Sequence, residues 1–465
     1  MQTVKPESST TPRQILIEPD GGRKPKTVAR LADWEYIERS IHRLIAGWGR
    51  HMSQWEDKTA THHHIWEAAE CVRRLRERLT QFPGSTNNLD MPVSRKLEVL
   101  VNTVLLAPSH EDVVDGIYQI LTGALVKSYL EYAASAHPIH DAPTIATLHE
   151  IVGIKEQWRL WLRAYRRRHP HTTNAAYKNA IEAAIAACDH FDHALPISED
   201  GAAEPVGVNT NFRLLRYPAR PANTRQKYDV MELTGPDFSR SIETRRLFWC
   251  YGYMAEQGLA DDQLRWIYDG HFMPWEWLQD ESRHLWDESR HGDSGHSRLL
   301  DFGITLEDIG FPFPEDADVN ETIDPMTPEQ LYEAVFFIGM VAETGHFTVK
   351  REAYDDFREG GDLESAEMML FDIIDETTHV QYAHKWLPVL AEKAGVDCTH
   401  YKERATQERL KRLNAHEEKV ALETATPRDE NDAGYLFYQK LLAIMRDKKP
   451  LLNADTCPPR SPRPM

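Results

Sequence analysis

At 465 residues the chain has room for two or three domains of ordinary size, and 41% hydrophobic residues with twelve Trp can fill sizeable cores. Its 54 basic against 73 acidic residues give a net charge of −19, which argues against nucleic acid or an anionic membrane surface as a partner. No apolar run approaches the ~20 residues of a membrane span.

Residues 1–27 are polar, without the hydrophobic segment of a secretory signal, and read as a flexible N-terminal arm. The scattered, odd set of cysteines (Cys71, Cys188, Cys250, Cys398, Cys457) suits a reducing cytoplasm better than a disulfide framework. Residues 28–195 carry helical periodicity, broken at Phe82-Pro83-Gly84, Ala107-Pro108-Ser109, His137-Pro138 and His169-Pro170. Residues 196–237, rich in Pro, Gly, Ala and Asn, read as a linker or an extended wrap. Residues 238–395 form a second helical unit, with a long loop expected over 292–327. Residues 396–465 hold two further helices, about 397–423 and 433–446, and a Pro-rich tail expected to be disordered. Almost nothing alternates like a strand, so the fold class expected is all-α.

The two helical units look like repeats. A shift of 220 residues places Trp55-Glu56 on Trp275-Glu276, His64 on His284, Trp66 on Trp286 and Glu67 on Asp287. The simplest account is duplication of one four-helix bundle. The second copy carries the chemistry. Glu256 precedes Glu288-Ser289-Arg290-His291, and Glu343 precedes Glu376-Thr377-Thr378-His379. Gly270 and Pro274 lie midway in the first set and Gly360-Gly361 midway in the second, so both midpoints are natural hairpin turns. Residues equidistant from such a turn sit at one height on antiparallel helices.

Positions i and i+3 share a helix face, so each Glu-x-x-His can aim a carboxylate and an imidazole at one point. One Glu from each of two helices with Glu-x-x-His from each of two others is the ligand set of a dimetal-carboxylate centre. Four carboxylates neutralise two divalent cations, and mixed O/N ligation suits iron, manganese or a mixed pair more than structural zinc. Without metal, the same carboxylates would hold protons at raised pKa values. The metal ligands expected are therefore Glu256, Glu288, His291, Glu343, Glu376 and His379, with His346 as an additional candidate. Around them, His284, Asp287, Asp375 and Glu281 are expected in supporting positions, the two aspartates each orienting a ligand His of another helix. A substrate pocket is expected near Gly345, lined by Met340, Phe336 and Phe347, with the 292–327 loop as its lid. In the first copy the ligand positions fall on Tyr36, Ala68, Cys71, Gly123, Glu156 and Arg159, which predicts a metal-free unit.

These residues resemble the ferritin-like superfamily, more narrowly the functionally uncharacterised bacterial ferritin-like (dimetal-carboxylate) proteins. The segments that carry the resemblance are Met273-Pro274-Trp275-Glu276 through Trp286-Asp287-Glu288-Ser289-Arg290-His291, Ile338-Gly339-Met340-Val341-Ala342-Glu343, and Asp375-Glu376-Thr377-Thr378-His379. The resemblance implies two tandem ferritin-like four-helix bundles, the second holding two iron or manganese ions that activate O2 or peroxide. The function expected is an O2-activating oxidase or oxygenase acting on a small organic molecule. Ferroxidase or other metal handling is the first alternative, and a scaffold with a vestigial site the second. O2 and a small-molecule substrate are the expected partners, a homodimer is left open, and neither nucleic acid nor membrane is expected.

Overall fold

The computed structural model describes residues 23–82, 89–90, 94–191, 212–226, 228–238, 241–314, 317–426 and 428–448, and these are almost wholly helical. Most of the sequence 1–27, read above as an arm, lies outside the described residues, and its end is already helix. α1 runs Arg23–Gly49, followed by α2 (Trp55–Thr80), α3 (Arg95–Leu105) and α4 (His110–Val114). A wider π-type turn, Asp115–Leu121, leads into α5 (Thr122–Ser135), and α6 (Ala142–Arg168) and α7 (Ala175–Ala187) complete the N-terminal unit. Helix ends follow local chemistry: Ser94, Ser109 and Asn174 each accept a backbone N–H of the first turn that would otherwise lack a partner.

The 212–226 segment is a wrap rather than a free tether. Arg50, buried at the end of α1, donates to the Leu215, Arg216 and Asp261 carbonyls and so ties both units to it. Arg225–Gln226 pairs in parallel with Phe311–Pro312, a two-residue bridge. The short α8 (Val230–Thr234) then precedes α9 (Ile242–Asp269), capped by Ser241. A turn at 270–274 reverses the chain into α10 (Trp275–Asp301). A Cβ on Gly270 would lie 2.6 Å from the Trp277 ring, so the tight reversal needs glycine.

The loop expected over 292–327 is corrected here: α10 continues as helix to Asp301, and only the stretch after it is irregular, interrupted by α11 (Leu306–Ile309). Gly292 and Gly295 look like breakers in isolation. In the structure they are where α9 presses against α10, and a Cβ at Gly295 would collide with the Cys250 carbonyl and the Met254 amide. Tertiary contact therefore outweighs the roughly 1 kcal/mol that glycine costs a helix.

α12 (Pro328–Val335) starts with a capping box between Thr327 and Gln330. It runs through a second π-type turn, Phe336–Glu343, into α13 (Thr344–Glu359). α14 (Leu363–Ala394) is capped by Asp362 and ends at Gly395 in the left-handed conformation (φ 68°). α15 (Tyr401–Ala425) and α16 (Ala433–Asp447) close the described chain, and the Pro-rich tail lies outside it.

The two units share one apolar core, which runs from Trp34, Ile37 and Ile41 through Val72 and Leu75 to Leu264, Trp275, Trp277, Leu285, Leu387 and Leu390. α1 and α2 face α9 and α10 at its centre. Contacts there come in reciprocal pairs. Trp66 stacks on Trp286, with ring centroids 6.1 Å apart; His63 stacks on Trp286, and the Arg283 guanidinium lies 5.7 Å over Trp66. His296 packs on Trp55 as Arg76 packs on Trp275. No helix among the described residues is long and apolar enough to cross a membrane.

Candidate metal centre

Helical spacing assembles a polar cluster inside the second unit. α10 stacks Glu281, His284, Glu288 and His291 at successive i+3 and i+4 steps; α14 does the same with Asp372, Glu376 and His379. α9 supplies Glu256, the second π-type turn ends in Glu343, and Lys350 follows two turns later on α13.

Glu288 is central. Its Oε1 lies 3.2 Å from His284 Nε2 and 3.2 Å from His379 Nδ1, and its Oε2 lies 3.8 Å from His291 Nδ1. Glu256 Oε2 and Asp372 Oδ1 approach His291 Nδ1 to 3.3 and 3.5 Å. On the other side, Glu343 Oε1 lies 2.9 Å from His284 Nε2 and 3.7 Å from His379 Nδ1, while Glu376 Oε2 is 3.4 Å from His379 Nδ1. Three sets of atoms close enough to share an ion result: His284/Glu288/Glu343/His379, Glu256/His291/Asp372 and Glu288/His291/Glu376. Glu288 belongs to two of them, as a bridging carboxylate would.

The structure thus brings all six sequence-expected ligands to one place. Each also holds a buried atom with no hydrogen-bond partner: Glu256 Oε2, Glu288 Oε1, His291 Nδ1, Glu343 Oε2, Glu376 Oε2 and His379 Nδ1. Native interiors satisfy nearly all such atoms, because an unpaired buried polar group costs ~1–3 kcal/mol or more. Metal ions shared among these side chains would give the six atoms partners.

The outer contacts fix the rings for that role. His379 Nε2 faces Asp287 Oδ2 at 3.3 Å, and His291 Nε2 faces Asp375 Oδ2 at 3.3 Å, so each aspartate orients a histidine of the opposite helix. With Nε2–H directed at aspartate, Nδ1 is the atom left to bind metal. Arg283 and Arg290 in turn hold the two aspartates, at 2.8 Å for Arg283–Asp287 and 2.8 Å for Arg290–Asp375.

Charge balance gives an independent test. Glu256, Glu288, Glu343, Asp372 and Glu376 bring five negative charges, and Lys350 returns one through bonds of 2.6 Å to Glu376 and 2.9 Å to Asp372. With Glu281 counted as protonated, the remainder is −4, the charge that two divalent cations would balance. Without them the cluster keeps protons instead. Burial raises Glu256 to a pKa of about 8. For His284, burial and His379 favour the neutral ring, but Glu343 and Glu288 outweigh them and lift the pKa to about 10. Asp372, Asp375, Glu256 and Glu288 likewise hold His291 well above its ordinary value against the pull of burial.

Several expectations need correction. His284 is not peripheral: its Nε2 enters the cluster between Glu343 and Glu288. Glu281 stays further out, 3.9 Å from His284 Nδ1. His346 is exposed and belongs to none of the ligand sets. Gly345 is also exposed, and a side chain there would meet only Arg409, with Cδ at 3.7 Å, so it does not face the carboxylates. Phe336 stacks on Tyr332 and carries the Arg404 guanidinium 4.1 Å over its ring, Met340 is buried with its carbonyl bonded to Arg409, and Phe347 is half-buried. The void beside the cluster lies elsewhere, next to Glu281, His284 and His379. It is walled by Trp266, Trp277, Gly339 and Trp386 and has about 10 Å³, room for one water-sized molecule.

Sequence reasoning missed Asp372 and Lys350. Asp372 is four residues before Glu376 and Lys350 seven after Glu343, so helical periodicity held the signal for both. In the first unit, Glu156 and Arg159 pair at 2.6 Å on the surface instead of facing the core. Neither family models nor curated proteins nor solved structures provide a match to this chain.

Proposed function

We propose that this is a ferritin-like protein of two tandem four-helix bundles related by duplication, whose second bundle holds two metal ions, iron or manganese, and activates O2 as an oxidase or oxygenase. The observation that carries the reading is the set of six buried, unpartnered ligand atoms around Glu288. Duplication is supported by the reciprocal pairs His63–Trp286 and Arg283–Trp66, in which each residue meets the partner that a 220-residue shift and a two-fold axis would give it. The π-type turns at Asp115–Leu121 and Phe336–Glu343 recur at nearly the same offset, and such turns favour functional sites.

Bound at this site, redox metals would supply the electrons that reduce O2. The chain's own residues set the conditions. Glu288, shared by two of the ligand sets, would offset the repulsion between two bound cations, Asp287 and Asp375 orient the imidazoles, and Lys350 reduces the cluster's negative charge. Trp266, Trp277 and Trp386 exclude bulk water from the void. Burial raises Glu281, at the edge of that void, to about 7, so it exchanges a proton near neutral pH.

The small size of the void favours a second reading, ferroxidase or metal handling, since it admits a diatomic but no organic molecule. Anaerobic titration with Fe2+ followed by O2 uptake tests both. Two Fe2+ per chain and O2 consumption that stops after the bound metal is oxidised fit the oxidase; many Fe2+ turned over per chain fits the ferroxidase. Absence of stoichiometric metal binding would refute both.

A further inference from the structure

A cleft of about 560 Å³ opens on the far side of α9 and α10 from the metal cluster, between the start of α2, the 220–224 wrap and the 305–311 segment. The residues after α10 that were expected to cover the metals line this cleft instead. Its floor is charged and buried. Lys58 and Arg220 both donate to one carboxylate, Asp261, at 2.8 and 2.6 Å, and all three are less than a tenth exposed. The nearby His62 adds no charge, because burial pulls its pKa down to about 3. Two basic side chains share one carboxylate, and Lys58, held down by burial, carries the excess positive charge only part of the time near neutral pH.

The walls are apolar and aromatic. Trp55 and Phe311 flank the opening, with Leu300 and Leu306 beside them. The Arg220 guanidinium lies flat over Phe311 at 4.1 Å, which presets its orientation. At the rim stand Glu56 and Glu307, both exposed, the latter bonded to Asn223. Their charge disfavours a polyanion more strongly than a single carboxylate.

We infer that this cleft is a binding site for a small monoanionic organic acid, its carboxylate on Lys58 and Arg220 and its apolar body along the wall that Trp55 and Phe311, packed together at 6.1 Å between ring centroids, form with Leu300 and Leu306. The site is separate from the metal centre and does not depend on metal occupancy. An anion there would complete the neutralisation that Asp261 begins. Burial holds Lys58 down to a pKa of about 7 despite Asp261, so the bound acid would also favour its charged form.

The test is calorimetric titration of the full chain, metal-free and metal-loaded, with benzoate and hexanoate against benzamide and hexanamide. The expected result is one acid per chain, bound at least tenfold tighter than its amide and equally in both metal states. Arg220→Gln should weaken binding tenfold or more. Because that change disturbs a buried ion pair, Leu300→Trp serves as the second variant: it fills the cleft from a partly exposed position and should abolish binding at unchanged melting temperature. No saturable binding of either acid, equal affinity for acid and amide, or binding untouched by both variants would overturn the proposal. Loss of acid binding only when metal is removed would overturn its independence from the metal centre.

Discussion

Each helical unit buries a lysine among carboxylates, and the two do opposite things with it. In the first, Lys155 donates to Glu38 at 2.6 Å with both side chains fully buried, and Tyr129 donates to the same glutamate at 2.9 Å. One cation meets one anion, a phenol supplies a further bond, and the pair is complete. In the second, Lys350 meets Glu376, Asp372 and, at 3.9 Å, Glu256, in a cluster of five carboxylates. One buried lysine is matched by protein atoms, and the other sits in a cluster whose carboxylates exceed it by four charges. Among the described residues the first unit gathers no set of metal-ligand atoms. A buried ion pair thus differs from a metal site chiefly in its uncompensated charge and its unpartnered atoms.

The largest way to break this comparison is Glu288→Ala. Removing a carboxylate that belongs to two ligand sets should take metal content from two ions per chain to one or none, by elemental analysis, with the helical content unchanged. Two ions remaining would mean the cluster is not the site.

Next in size are the lysines themselves. Lys155→Met leaves Glu38 buried without its cation and should cost about 3–5 kcal/mol in chemical denaturation, with or without metal. Lys350→Met should cost a similar amount in the metal-free protein and clearly less with Mn2+ present, because bound cations take over its role. Equal losses in both metal states for Lys350 would contradict the charge balance.

A pH series sharpens the contrast further. In the metal-free protein His284 has its pKa raised to about 10, so its stabilisation is complete below the unfolded value of 6.5 and is lost as pH rises toward 10. Glu256, raised by burial to about 8, adds a penalty that grows between 4.5 and 8. Glu343 runs the other way: against the push of burial, His284 and His379 lower it to about 2, so its contribution holds above 4.5 and disappears toward pH 2. The metal-free melting temperature should therefore fall from pH 6.5 to 10, and metal should raise it more at pH 8 than at pH 6, with protons released on binding. Greater metal stabilisation at the lower pH would invalidate the protonation scheme.

The smallest effects separate support from bystander. Asp287→Asn should weaken metal binding by about 10–100-fold through the His379 ring it orients. His346→Ala, at an exposed position outside the ligand sets, should leave metal affinity unchanged and stability within about 0.5 kcal/mol. A fall in metal stoichiometry in His346→Ala would restore that histidine as a ligand.

By itself the sequence determined what is local. The pitch of a helix is fixed by backbone geometry, so Glu-x-x-His spacing, the turns at 270–274 and 360–361, and the matched heights of Glu256 with Glu288 and of Glu343 with Glu376 were legible from residue numbers alone. Breaks such as His137-Pro138 were equally plain, because a proline inside a helix usually ends or kinks it, although Pro388 sits within α14. What only the tertiary structure decided is which faces meet. How far each packed helix is rotated placed His284 inside the cluster and His346 outside it. The same packing brought Lys350 and Asp372 into contact and turned Gly295 from a helix breaker into a point of close approach between α9 and α10. It also joined the two helical units into one core and set the wrap at 212–226 against Trp55 and Phe311 to form the cleft. Those outcomes depend on side-chain volume and charge summed over several elements, and no window of sequence contains that sum.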